Sequence, residues 1–194
     1  MMSTAQQVPA RTRLLQAADH ILFEDGIRAT PVDEILRRAR ASPATLYSHF
    51  GSKDALTAEA LRIRFADWRS SWDEQVISAN NDTERLLAVF DALAAYREDR
   101  QHPSRWCAFL AAATELMPEA GEIRDVLDAD TALLRTRLVH LSRPLAADRA
   151  QDLAEGVLLA YDGTLTAFLR GHPRSPIEAG RRLALAAVQA YTQS

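Results

Sequence analysis

Between residues 42 and 53 the chain carries side chains suited to contact with a polyanion and with the edges of nucleobases. They are Ser42, Ala44, Thr45, Tyr47, His49 and Lys53, with Thr30 opening the same region. Hydroxyls bond phosphate oxygens or base edges, a methyl group meets thymine, and an ammonium is a point charge for phosphate. This is the chemistry of recognition rather than of bond-making. The five histidines, His20, His49, His102, His140 and His172, show no metal-ligand spacing with one another. No phosphate-cradling glycine loop or nucleophile elbow occurs either. The expectation is a protein without catalytic residues, metal or cofactor.

The elements that must position these residues are short helices. Thr30 is read as an N-cap, with Pro31 at the first helical position and Asp33 at the third, where its carboxylate meets free N–H groups. Val32, Ile35, Leu36 and Ala39 then share an apolar face. Ser42-Pro43 repeats the start signal, and Leu46, Tyr47 and Phe50 supply the apolar side of a second helix. Gly51 suits a stop, and Ser52 caps a third helix that Lys53 opens. Two capped helices about three residues apart are what a DNA-reading helix-turn-helix requires, the second helix entering the major groove by its N-terminal end. On capping and periodicity alone, an ordinary helical hairpin fits equally, with Tyr47 and Phe50 in its core and His49 on its surface.

The order of residues is more specific than the helices. T-P-V-D-E-I-L at 30–36 and A-R-A-S-P-A-T-L-Y-S-H-F-G-S-K-D-A-L at 39–56 resemble the helix-turn-helix of the TetR family of bacterial repressors. Arg13-Leu14-Leu15, Ala17-Ala18 and Gly26 extend the likeness, which covers residues 8–68 with the motif at 31–50. The resemblance implies an all-α homodimer that binds a palindromic operator in double-stranded DNA and is released by a small apolar molecule. It implies that residues 69–194 form a helical domain for effector binding and dimerisation. A helical small-molecule binding protein that has lost operator binding is the alternative reading. Three features motivate it: Arg40 stands where the family has glycine, Pro43 stands where it often has lysine, and the charge is balanced. A left-handed non-glycine residue at position 40 costs on the order of 1 kcal/mol.

Composition agrees with a helical regulator. The chain has 194 residues, enough for a sizeable core, and only 7 glycines and 8 prolines to interrupt helices. Net charge is -3. Through residue 60, seven cations (Arg11, Arg13, Arg28, Arg37, Arg38, Arg40 and Lys53) face seven anions, so the basic footprint of many DNA-binding proteins is missing. Arg11 and Arg13, near a helix start that the macrodipole does not favour for cations, are candidates for phosphate contact. Lys53 is the one lysine among 23 basic residues, also at a helix start, and is expected to touch phosphate rather than stabilise the helix locally. A lone Cys107, no membrane-length apolar run and an opening MMSTAQQVPA without leader character point to a cytoplasmic location with no membrane partner.

The remainder reads as further helices. A long one from Lys53 to about residue 76 links the DNA-reading part to the effector part. Pro103, Pro118 and Pro144 are expected to end or separate the later ones. Phe65, Trp68, Trp72, Trp106, Phe109 and Tyr161 are candidates to line an effector pocket, although ordinary core packing explains any one of them equally well. The last two helices are apolar on more than one face. Val157, Leu158, Leu165, Phe168, Leu185 and Val188 are the candidate dimer residues, through which the resemblance implies a four-helix bundle with the mate.

Overall fold

The computed structural model describes residues 8–99 and 107–192. Among them are nine α-helices, one 3-10 turn and no strand, so the all-α expectation holds. The helices are α1 (Ala10–Asp25), α2 (Val32–Ala39), α3 (Pro43–Phe50), α4 (Lys53–Ser78), α5 (Asp82–Asp99), α6 (Ala108–Leu116), α7 (Glu122–Ala146), α8 (Ala150–Arg170) and α9 (Pro176–Thr192). No helix among the described residues is long and apolar enough to cross a membrane. Helix α7 runs through Pro144 instead of ending before it. A proline two residues from a helix end removes a single hydrogen bond, which the last turn tolerates.

The chain divides into two compact units. The first comprises Met1–Ile63 with Ala108–Val126, the second Arg64–Cys107 with Leu127–Ser194. Helix α6 therefore groups with the N-terminal helices, although it follows residue 69 in the chain. Nothing in local periodicity signals that, because it depends on which apolar face finds which.

In the first unit α1 packs on both α2 and α3. Leu14, Ala18, Ile21 and Leu22 of α1, Ile35, Leu36 and Ala39 of α2, and Leu46 of α3 form its core, with Leu56 and Leu61 of α4. The spacing 14, 18, 21, 22 places one stripe of α1 inward, as the 3.6-residue period demands. Leu46 is fully enclosed, and truncating such a residue to alanine costs about 2–5 kcal/mol. That one side chain pins the outward face of α3.

In the second unit α8 and α9 pack together and α5 packs on both. Gly180 of α9 allows the closest approach. A Cβ built there would stand 1.8 Å from Thr164 Oγ1, 3.0 Å from Phe90 Cε1 and 3.2 Å from the Ala160 carbonyl oxygen. Even alanine at 180 forces Thr164 aside.

Within the unit, the six residues expected at the dimer face differ in burial. Val157, Leu165 and Val188 are buried within the unit itself, and Leu158, Phe168 and Leu185 are half-buried. The exposed large apolar side chains lie elsewhere on the two helices: Leu159, Leu169 and Leu183 are 72%, 51% and 63% exposed. With both faces of α8 apolar, periodicity could not tell the face that meets α9 and α5 from the face left outward.

Candidate nucleic-acid interface

Helix α3 is begun by Ser42, whose Oγ accepts from the backbone N–H of Thr45 at 3.2 Å and lies 2.8 Å from Thr45 Oγ1. Pro43 occupies the first turn, where its missing N–H costs nothing. Helix α3 closes at Gly51, φ 78°, whose N–H returns to the Tyr47 carbonyl at 3.0 Å. Between these ends, Leu46 faces inward while Ser42, Ala44, Tyr47 and His49 face solvent and Thr45 is half-buried. Tyr47 is 56% exposed, a large aromatic with no internal role. Ser42, Ala44, Thr45, Tyr47 and His49 lie on or at the start of this one short helix, and Tyr47 is not part of its core.

The turn before α3 has the conformation expected of it. Arg40 is left-handed, φ 49° and ψ 51°, and the N–H groups of Arg40 and Ala41 bond the carbonyls of Arg37 and Leu36. The strain is offset by a contact that the sequence does not announce. Arg13 reaches from α1, donating from Nε to the Ala39 carbonyl at 2.9 Å and from Nη2 to the Arg40 carbonyl at 3.2 Å. Its Nη1 also bonds the Val8 carbonyl at 2.7 Å. Charge-assisted bonds of this kind are worth about 1.5–3 kcal/mol when shielded from water. Arg13 thus braces the turn. Arg11 pairs with Glu59 at 2.6 Å and lies 5.3 Å from the centre of the Phe50 ring. That guanidinium holds the Glu59 carboxyl below its usual range.

Two more of the residues expected at the DNA have partners inside the unit. Thr30 is only 3% exposed, and its hydroxyl donates to the Gly26 carbonyl at 2.7 Å. Helix α2 accordingly starts one residue later than a Thr30 cap would set, with Pro31 as an extended N-cap and no side-chain cap. Lys53 Nζ donates to the carbonyl of Ile27 and to that of Thr30, at 2.5 and 2.6 Å. Burial lowers the ammonium's affinity for its proton, opposed by the charges of Asp54 and Glu115. So Lys53 clasps the turn between α1 and α2. Among the outward cations near α3, sequence reasoning passed over Arg38 and Arg40, both exposed. Their position just before Ser42 is the signal that would have found them.

The candidate effector aromatics separate. Trp68, Trp72 and Tyr161 meet in the second unit, where the Trp68 ring lies 5.9 Å from those of Trp72, Tyr96 and Tyr161, nearly parallel to the last. Phe65, half-buried, belongs to the same unit, whereas Phe109 is buried in the first. Trp106 and His102 lie outside the described residues.

A helix-turn-helix with an outward N-terminal half, in an otherwise helical chain, defines a DNA-binding regulator. Comparison with known proteins gives the family. Residues 14–60 match the bacterial regulatory proteins of the tetR family. The chain is 30% identical over 154 residues to the HTH-type transcriptional regulator BetI of Rhizobium meliloti, covering 79% of this chain and 74% of that protein. It is 46% identical to UidR of Escherichia coli K12, with 86% and 97% covered. A TetR-family regulator from Streptomyces coelicolor has the same fold, with a TM-score of 0.85, 23% identity, and 94% and 96% of the two chains covered. The chain belongs to the TetR family of transcriptional regulators, whose members bind DNA operators and act as dimers.

Proposed function

We propose that the protein is a homodimeric repressor that grips a palindromic operator through two copies of α3 and lets go when a small molecule binds its second unit. The observation that carries this reading is the exposure of Ser42, Ala44, Tyr47 and His49 on a helix fixed from behind by the enclosed Leu46. In this reading Thr45 and Tyr47 approach base edges and phosphates, the Ala44 methyl can meet a thymine, and Arg38 and Arg40 meet the flanking backbone. A dimer sets its two reading heads about 34 Å apart, one turn of DNA, and a repressor seated there excludes polymerase.

The dimer face we propose is the outward side of α8 and α9, carrying Leu159, Gly163 and Thr166 on one helix and Leu183 and Ala186 on the other. Small residues between two exposed leucines permit close approach of a second helix pair. Release by an effector has a covalent route: α4 is continuous from Lys53 to Ser78, so displacement in its second half shifts the residue that clasps the α1–α2 turn.

The test is selection of DNA fragments by the purified protein from a random pool, followed by titration at several salt concentrations. Enrichment of an inverted repeat whose binding weakens steeply with salt is the expected result. Recovery of no preferred sequence sinks the reading and leaves a small-molecule binding protein.

A further inference from the structure

Helix α8 carries a glycine that its own chain does not explain. Gly163 lies in the helix interior without a left-handed φ, a place where glycine is disfavoured. A Cβ built there meets nothing within 4 Å, so no neighbour in the chain requires the side chain to be missing. Gly180 of α9, by contrast, is held against Thr164 and the Ala160 carbonyl. Gly163 instead faces outward, between Leu159 and Thr166.

Beyond those two residues the same face carries charge of opposite sign at its two ends. Asp152 and Glu155 stand at the N-terminal end and Arg170 at the C-terminal end, followed by His172 and Arg174 in the loop, all exposed. Among the described residues no ion pair engages Asp152, Glu155 or Arg170, and Glu155 takes a hydrogen bond from Gln151 on the preceding turn. Arg149, at the acidic end, lies 4.2 Å from the centre of the Tyr191 ring, and Glu178, near the basic end, reaches Arg182 at 4.0 Å.

A strip that is acidic, then apolar and small, then basic complements itself when turned end for end. Glu155 lies about 12 Å before Gly163 along the helix and Arg170 about 10 Å after it. A twofold axis crossing α8 at Gly163 therefore sets each Glu155 against Arg170 of the partner subunit, with Asp152 one turn beyond. Laying α8 across the partner's α9 at equal height satisfies no charge. Gly180 stands beside Thr164 and Ala187 beside Gly156, so α9 runs opposite to α8. Asp152 and Glu155 would then meet the uncharged stretch around Gln189, and Arg170 would meet the turn of Arg174, of its own sign.

We propose that two copies of this chain recognise each other through antiparallel α8 helices that cross at Gly163, with Glu155 of each facing Arg170 of the partner subunit. This rests on the dimer face proposed above and adds its axis, its register and the residues that select the mate. Exposed ion pairs add little affinity, but like charges set opposite one another count against a wrong mate.

Glu155→Arg and Arg170→Glu in the full chain, with dimer dissociation followed by sedimentation at low salt, test it. Each single variant opposes like charges twice and is expected to dimerise at least about tenfold more weakly than the parent. The double variant should return to within about threefold of the parent. Mixing the two single variants should give mixed dimers well above the share of about half that chance assortment yields, read by native mass spectrometry. Gly163→Leu should give monomers whose circular dichroism is that of the folded chain, because the space it enters is open within the chain. Single variants that dimerise like the parent, a double variant no stronger than the singles, chance assortment, or folded Gly163→Leu dimers each overturn the register. If Leu159→Glu is then monomeric, the dimer face still stands without it. A parent chain that is itself monomeric removes face and register together.

Discussion

The carboxylate of Glu115 on α6 accepts the backbone N–H of Arg28, in the turn after α1, at 3.0 Å. Its oxygens also lie beside Gly26, 3.5 and 3.6 Å from a Cβ built there, which is ordinary contact; the φ of 105° is what asks for glycine. Its charge also supports the Lys53 ammonium, which bonds two carbonyls of the same turn. Residues far apart in sequence thus close on one short loop, from opposite signs of charge.

Removing that acceptor is the first expectation. Glu115→Ala should lower stability in urea by about 1 kcal/mol, since it strands one backbone donor that water partly satisfies. An unchanged midpoint would mean that the contact is not formed in solution.

Lys53→Ala separates two roles. A clasp predicts destabilisation without DNA present, about 1–3 kcal/mol for two lost charge-assisted bonds. It also predicts a log–log salt slope of operator binding equal to the parent's. A slope smaller by about 2 in the dimer, with stability intact, would restore the phosphate contact.

Tyr47 offers the opposite profile. Its ring is exposed, so Tyr47→Ala should leave the melting temperature within a degree or two of the parent. Operator affinity should fall by roughly 1–3 kcal/mol if the phenol meets a base or phosphate. Operator affinity and sequence preference equal to the parent's would remove Tyr47 from the interface.

For assembly, Leu159→Glu and Leu183→Glu should yield folded monomers, whereas Leu165→Glu should unfold, because Leu165 is buried in its own unit. Sedimentation together with circular dichroism distinguishes these outcomes. Folded dimers of both exposed-site variants would place the interface on other residues.

Asp130 gives a pH signature in stability. Its folded pKa, about 7, stands above the ordinary 3.8, so the unfolded chain loses the proton first. The parent should therefore lose stability from this group as pH rises from 4 to 7, with no further loss above. Asp130→Asn should gain on the parent at pH 8 relative to pH 5 in paired thermal melts. The same gain at both values would mean that the carboxyl is not perturbed.

The helices and the reading face were legible in the chain because they are local. Caps at Ser42 and Ser52, Pro43, Gly51 and the 3.6-residue stripes each act within one or two turns. The left-handed Arg40 stands where the family resemblance puts glycine. What escaped was the destination of long side chains. Arg13, Thr30 and Lys53 each donate to carbonyls that the fold brings up, which no local window along the chain contains. The inward and outward faces of α8 likewise depend on α5 and α9, which no window along α8 contains.

The commitment of Arg11, Arg13 and Lys53 to internal partners has a consequence for search along the chromosome. Attraction to arbitrary sequence grows with each cation offered to phosphate, and this reading head offers few. Off-site residence should accordingly be brief, and a small number of molecules should spend most of their time either free or on the operator.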